Sequence, residues 1–355
     1  AAYSMGRALY AAYHGPLYQV QRASDGATAD IGLLSPGGYV EASEQDSFCA
    51  GTTCTIVRIY DQSPEGNDLT VEGAGGAAGA DGPASATALP VTVHGHKAYG
   101  LDITPGTGYR DDSTQGIAVN GQPEGMYMVA SGTNVNGSCC FDFGNAETSN
   151  DDNGAGHMDT LNLSLGCTAP CTGTGPWVEA DMENGVYMGG DGSNPANTAD
   201  NADFVTAMLK NDGQTTFELQ GGNAQAGRLM TYWNGNLPSG YEPMHQEGAV
   251  VLGTGGDNSN SDTGSFFEGV MTQGYPSNAA DAAIQASVVA AHYAGYSGGS
   301  GPAPTAGPAV VHDGYSSMYT VDASNGHLQE TCLPAIGDPW TTQDLSAKYG
   351  TPPSR

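Results

Sequence analysis

Apolar and polar positions along the first 297 residues come in short alternating runs, not in the three-to-four spacing of helices. Thr55–Tyr60 shows the pattern: Ile56, Arg58 and Tyr60 would face one side of a strand, and Thr55, Val57 and Ile59 the other. Pro90–Leu101, Gly125–Ser131, Thr215–Gln220, Ala249–Gly253 and Phe266–Tyr275 also read as strands, separated by turns rich in Gly, Asn and Asp. Two stretches break the pattern. Ala202–Lys210 has a short helical composition. In Ala279–Tyr293, alanines are dense, Ile284, Val288 and Val289 form a stripe, and Ser277 is placed to cap the N-terminus. This texture predicts an all-β protein, a two-sheet antiparallel sandwich with one helix packed outside it.

A Gly/Ser/Pro-rich segment at 298–308 reads as a linker. Beyond it, 309–355 is too short to bury a good core alone and reads as a small, partial β module. Ala309–Asp322 and Gly326–Leu333 would be strands joined through Asn325-Gly326, a hairpin signal. The run around Trp340 resembles one repeat of a β-propeller lectin; a tail folded onto the main domain is the alternative.

Composition narrows the function. Glycine is frequent at 54 residues and charged residues make up only 13%, which supports turns and strands over helices. The formal charge is −29, from 38 acidic and 9 basic residues. Such a field repels phosphate backbones and anionic lipid surfaces, so neither nucleic acid nor a membrane is an expected partner, whereas a neutral polysaccharide is compatible. No apolar run is long enough to cross a bilayer, and no leader precedes Ala1, so the expectation is a mature chain or one that begins after its leader. The sequence carries no signal for oligomeric state.

Seven cysteines speak for an oxidising, extracellular compartment. Cys49 and Cys54 enclose one short loop, and Cys167 and Cys171 another, spacings that suit local disulfides. Cys139 and Cys140 are adjacent; either they bond to each other or one of them takes Cys332. No repeated C-x-x-C spacing and no neighbouring histidine pair speak for zinc, and no resident metal or cofactor is expected.

The chemistry concentrates in two stretches. In 175–185, Glu179, Asp181 and Glu183 alternate with Ala180 and Met182, so a continuous strand would put three carboxylates on one face beside Trp177. A dry core would reject that charge, and a plain solvated face seldom carries the tryptophan. A sugar-binding cleft accounts for both, because carboxylates supply the acid, base and nucleophile of glycoside hydrolysis and an indole stacks on a sugar ring. An ordinary acidic strand is the bland alternative. The second stretch, 253–260, surrounds Asp257 with glycines that let backbone approach a ligand. A calcium loop through Asp257, Ser259 and Ser261 competes there, without the glycine and terminal glutamate of the hand-type loop. His157 follows a flexible run and suits a cleft wall.

At this point the residues resemble a known family. Arg7–Tyr10, Gly15–Val20, Gln45–Cys54, Ile59–Ser63, Pro105–Arg110, Cys139–Asp142, Gly144–Glu147, Gly156–Met158 and Phe267–Thr272 occur in the order seen in glycoside hydrolase family 54, the α-L-arabinofuranosidase B catalytic domain. The resemblance implies a jelly-roll-like β-sandwich that releases arabinose from arabinan or arabinoxylan side chains with retention. It implies Glu183 as nucleophile, Asp257 as general acid/base, and Asp181, Asn184 and Gly256 as sugar contacts. It also implies a vicinal disulfide between Cys139 and Cys140 against the furanose. For retention the two carboxyls should stand about 5–5.5 Å apart. Three departures stand out. The family's earlier cysteine pair is missing, as if the chain starts late. The loop 165–171 lacks the sugar-stacking tryptophan of relatives. The C-terminal module does not resemble the arabinose-binding trefoil of fungal members.

Two other functions compete. Glu179-x-Asp181-x-Glu183 resembles the E-x-D-x-E strand of sandwich glycosidases acting on β-glucans, with Glu179 as nucleophile, although the two glutamate Cα atoms would be roughly 13 Å apart along a strand. The altered 165–171 loop and the lectin-like tail fit a non-catalytic carbohydrate-binding or structural protein.

Overall fold

The computed structural model describes residues 1–168 and 171–296, and the backbone of four short strands between 310 and 344. The main body is two large antiparallel sheets packed face to face, as the alternating pattern predicts. One sheet has seven strands. Its path runs Ala2–Ser4, Gly264–Gln273, Glu124–Ala130, Val205–Asn211, Thr216–Asn223 and Met230–Asn236, with Leu101–Ile103 joined to Gly264–Gln273. The other has ten, in the order Val186–Tyr187, Trp177–Asp181, Asp159–Ser164, Asp142–Ala146, Ala249–Leu252, Tyr109–Asp111, Leu69–Val71, Cys54–Ile59, Tyr18–Arg22 and Thr28–Ile31.

The core lies between them. Phe143 from the ten-stranded sheet packs against Phe266 (centroids 5.3 Å apart) and edge-on to Tyr3 (6.2 Å) of the seven-stranded sheet. Gly264 and Gly269 leave the room: a Cβ at either would run into the ring of Phe141 or Phe143. That close sheet-to-sheet approach is a reason for glycine inside a strand.

Most expected strands form within a residue or two of their predicted ends. Three expectations in the main body need correction. Ala202–Lys210 is no helix; Val205–Asn211 is a fully buried strand between Glu124–Ala130 and Thr216–Asn223. Its helix-forming Ala, Met, Leu and Lys are overridden by pairing on both sides, and Lys210 is buried in contact with Glu218 (3.0 Å) and Asp281 (2.6 Å). Pro90–Leu101 is not one strand but a hairpin, Pro90–Val93 with His96–Tyr99, turning through His94 and Gly95 at positive φ. In Cys54–Ile59 a register shift against Gln19–Val20 breaks the alternation, so Ile56 and Ile59 are both buried.

The expected helix forms as Asn278–Ala290, with the Ser277 side chain accepting from the Ala280 amide. A second, shorter helix, Ala42–Phe48, went unpredicted. No helix of the described residues is long and apolar enough to cross a membrane. In the C-terminal region Val310–Asp313, Ser317–Val321, Leu328–Cys332 and Thr342–Asp344 pair antiparallel in sequence order. The stretch expected as one strand over 309–322 is therefore two. The linker, the Asn325-Gly326 turn and Trp340 lie outside the described residues.

Candidate active site

The strand Trp177–Asp181 sits second from one edge of the ten-stranded sheet, paired with Asp159–Ser164 and Val186–Tyr187. Val178 and Ala180 join the core, so Trp177, Glu179 and Asp181 share the opposite face, as alternation requires. The strand stops there. Glu183 and Asn184 both take left-handed backbone (φ 62° and 58°), and the chain turns back through Gly185. The Glu183 amide donates to Asp181 Oδ1 at 3.1 Å, and the Tyr241 hydroxyl donates to the Glu183 carbonyl at 2.8 Å. These bonds hold a conformation that costs an ordinary side chain roughly 1–2 kcal/mol.

The expectation that burial would exclude three carboxylates is wrong. Glu179 is 0% exposed, Asp181 5% and Glu183 8%. Neither Glu179 oxygen meets a donor. Burial, then the nearby Asp181 charge, holds Glu179 well above the usual carboxylate range. It cannot reach a substrate, which removes the β-glucanase-like pairing of Glu179 with Glu183. Trp177 is not brought to the site either. Its indole is buried and donates to the Thr172 carbonyl at 2.9 Å, leaving no face for a sugar.

Asp257 comes from the turn after Ala249–Leu252 in the same sheet. Its Oδ1 accepts from the Ser259 amide (3.0 Å) and hydroxyl (2.5 Å). The next residue, Asn258, is buried, and its amide donates to the carbonyls of Gly73 (2.9 Å) and Gly79 (2.7 Å), while the Ala77 amide donates to the Asp257 carbonyl. The glycine-rich loop 73–79 is thus tied down beside Asp257. The charge of Asp257 acts on both Asp181 and Glu183, which places the three in one site.

Cys139 and Cys140 are bonded to each other and join the two halves of this site. Cys140 Sγ lies 3.4 Å from Asp181 Oδ2, and the backbone of the pair bonds Ser259 and Ser261. Gly255 makes room: a Cβ there would stand 3.3 Å from Cys140 Sγ. Cys139, Cys140 and Asp181 are the one grouping of metal-ligating residue types among the described residues, and both sulfurs are spent in the disulfide. The other two expected disulfides, Cys49–Cys54 and Cys167–Cys171, also form.

His157 and Asn184 sit on the rim. The Gly156 amide donates to the Met182 carbonyl, which draws the His157 loop against the Glu183 turn. His157 Nδ1 is 2.8 Å from Glu247 Oε1, and Asn184 Nδ2 donates to Asp152 at 3.1 Å. The altered loop is pinned nearby, with Thr168 and Val186 exchanging two hydrogen bonds. Tyr187 packs on Gly185 and edge-on against Tyr241 (5.3 Å), so an aromatic pair lines this flank without the missing tryptophan.

Sequence reasoning passed over four residues: Glu147, Arg110, Tyr187 and Tyr241. Glu147 follows the strand Asp142–Ala146 and is fully buried, and its charge acts on Glu183. Gly256 answers it directly: a Cβ at Gly256 would overlap a Glu147 carboxylate oxygen. Arg110 holds the two segments together, donating to the carbonyls of Glu147 and Gly256. Burial first, and the facing Glu147 second, push the Glu183 carboxyl up; burial likewise raises Asp181 and, behind it, Asp142.

The family model for the catalytic domain of α-L-arabinofuranosidase B matches residues 1–294. Among curated relatives, the probable α-L-arabinofuranosidase B of Aspergillus fumigatus is 50% identical over 335 residues, covering 90% of this chain and 65% of the relative. That of Aspergillus clavatus is 51% identical over 322 residues, covering 87% and 63%. The α-L-arabinofuranosidase B of Emericella nidulans is 50% identical over 336 residues, covering 90% and 65%. The chain therefore spans about two thirds of the length of these relatives. Among solved structures, a GH54 α-L-arabinofuranosidase soaked with a cyclic sulfate inhibitor superposes with a TM-score of 0.81 at 41% identity, covering 98% of this chain and 78% of that one. An arabinofuranosidase complexed with arabinofuranosyl-α-1,2-xylobiose gives 0.81 at 39% identity, covering 99% and 83%. With a two-sheet sandwich, a paired Cys139–Cys140 and a carboxylate site assembled from three turns, the chain belongs to the α-L-arabinofuranosidase B family, glycoside hydrolase family 54.

Proposed function

We propose that the protein is a secreted, retaining, exo-acting α-L-arabinofuranosidase that removes terminal arabinofuranosyl units from plant arabinan or arabinoxylan. The observation that carries this reading is the convergence of Glu183 and Asp257, far apart in sequence, beside Asp181 and the Cys139–Cys140 disulfide. Solved relatives with an arabinofuranosyl xylobiose or 4-nitrophenyl α-L-arabinofuranoside support the substrate class. The three disulfides support an oxidising, extracellular setting.

In this reading Glu183 attacks the anomeric carbon and forms a glycosyl ester. Asp257 gives its proton to the departing oxygen, then takes one from the water that opens the ester. Asp181, Asn184 and Gly256 line the furanose position, and the disulfide forms an apolar floor that excludes water. The glycine-rich loop 73–79, tied to Asp257, borders the leaving-group side.

Release of 4-nitrophenol from its α-L-arabinofuranoside tests the reading. Glu183→Gln should lower kcat by about 10³-fold or more, and Asp257→Asn by about 10²–10³-fold. An oxidised, folded wild type without turnover would sink the proposed activity.

A further inference from the structure

Asn184 has a carboxamide with two unlike ends, and the chain fixes one of them. Its Nδ2 donates to Asp152 Oδ1 at 3.1 Å. A carboxylate oxygen accepts and does not donate, so this bond sets the amide's sense: nitrogen toward Asp152, oxygen away from it. Asn184 is exposed, and among the described residues no donor reaches its Oδ1. Left-handed backbone (φ 58°) roots the same side chain directly after Glu183.

Asp152 is itself held. Its Oδ1 also accepts from the Gly154 amide at 2.8 Å. The loop that carries it, 148–157, closes on a single carboxylate. Glu247 Oε2 accepts from the Thr148 amide and hydroxyl, both at 3.0 Å, while Oε1 accepts from Asn153 Nδ2 at 2.7 Å and meets His157 Nδ1 at 2.8 Å. Both ends of the loop thus share one anchor. Its flanks are tied as well. Toward the Glu183 turn, the Gly156 amide donates to the Met182 carbonyl. Toward the loop 73–79, the Gly76 amide donates to the Asn150 carbonyl, and Asn150 Nδ2 donates to the Ala74 carbonyl at 3.2 Å. A carboxylate on such a frame meets Asn184 from one direction.

We propose that Asp152 is a positioning residue for the sugar: by holding Asn184 Nδ2 it turns Asn184 Oδ1 toward the furanose, as acceptor for the hydroxyl on the carbon beside the anomeric one. This rests on the assignments of Glu183 and Asn184 made above. The residue next to the attacking carboxylate lies nearest that carbon. An acceptor on the hydroxyl leaves its oxygen richer in electrons as positive charge develops on the ring, and a hydrogen bond there strengthens in the transition state. A reversed amide would offer an N–H donor and do the opposite. Fixing the sense of the amide before the sugar arrives removes that alternative.

Asp152 has a second route to the nucleophile, because its charge also acts on Glu183. Two substitutions separate the routes. Asp152→Asn keeps an acceptor oxygen and loses the charge; Asp152→Ala loses both. Asp152 is exposed, so both variants should fold. The test is kcat/KM of the full chain on 4-nitrophenyl α-L-arabinofuranoside. Asp152→Ala should lower it by about 5–20-fold, and Asp152→Asn should stay within about threefold of wild type. Asn184→Ala should cost about 10²-fold. Adding Asp152→Ala to that variant should cost no more than about twofold further, because the two residues act as one unit. An Asn variant as damaged as Ala, an Ala variant equal to wild type, or single losses that multiply in the double variant would overturn the proposal. Wild type without turnover, or turnover by Glu183→Gln, would instead sink the reading beneath the proposal and the proposal with it.

Discussion

At the scale of single residues, the site separates acids by what surrounds them. Glu179, Asp181 and Glu183 look equivalent in sequence, yet one is sealed inside and the last is turned outward by two left-handed residues. Alternation alone predicted which side Glu179 and Asp181 face. It could not predict the turn at Glu183–Asn184, because neither residue is glycine and the bonds that hold it come from Asp181 and from Tyr241, 58 residues away. Glu147 was illegible for the same reason: the carboxyl its charge acts on, Glu183, is reached through three strands of the sheet. Glu179→Gln should leave turnover within a few-fold of wild type. It should also flatten the loss of stability as pH rises, since Gln has no proton to shed, by about 1–3 kcal/mol at alkaline pH. Denaturant melts at pH 5 and pH 8 check this. Loss of turnover matching Glu183→Gln would return Glu179 to the catalytic pair.

Elements tell a second lesson. The helix Asn278–Ala290 was readable because its signals are local: a serine cap, alanines and an apolar stripe. Val205–Asn211 was misread because its decisive contacts are not local. Central position between two strands outweighs the helix preference of Ala, Met, Leu and Lys. The cap gives a clean check on the helix. Ser277→Ala should cost about 1 kcal/mol in unfolding free energy and leave kcat/KM unchanged, because Asp281 and Gln285 tie the helix to Lys210 and Asn223 of the seven-stranded sheet, whereas the carboxylates follow strands of the ten-stranded one. A change in kcat/KM would mean that the helix is coupled to the site.

For the whole molecule, acidity is both a surface property and a buried one. Burial raises Glu72 and Asp262 to about 7, and Asp200 and Asp281 to about 6. These groups bind protons more tightly folded than unfolded. Their contribution is therefore fully present below the unfolded carboxylate range near pH 4 and is lost as pH rises through 6 to 7. Lowered groups such as Asp25, Asp191 and Asp212 are surface positions and oppose this weakly. Stability should accordingly fall between pH 4.5 and 8, seen as a declining Tm; a Tm that rises over this range would contradict the buried-acid picture.

The central claim is that Glu183 forms the bond to the sugar while Asp257 serves as acid and base. The most direct measurement is to quench Asp257→Asn during turnover of 4-nitrophenyl α-L-arabinofuranoside and map its peptides by mass. The leaving group departs with little help, but no base remains to activate water, so the ester should accumulate. The account predicts an arabinosyl ester on Glu183. An ester on Asp181 or Glu147, or turnover with inversion and no adduct at all, would contradict it.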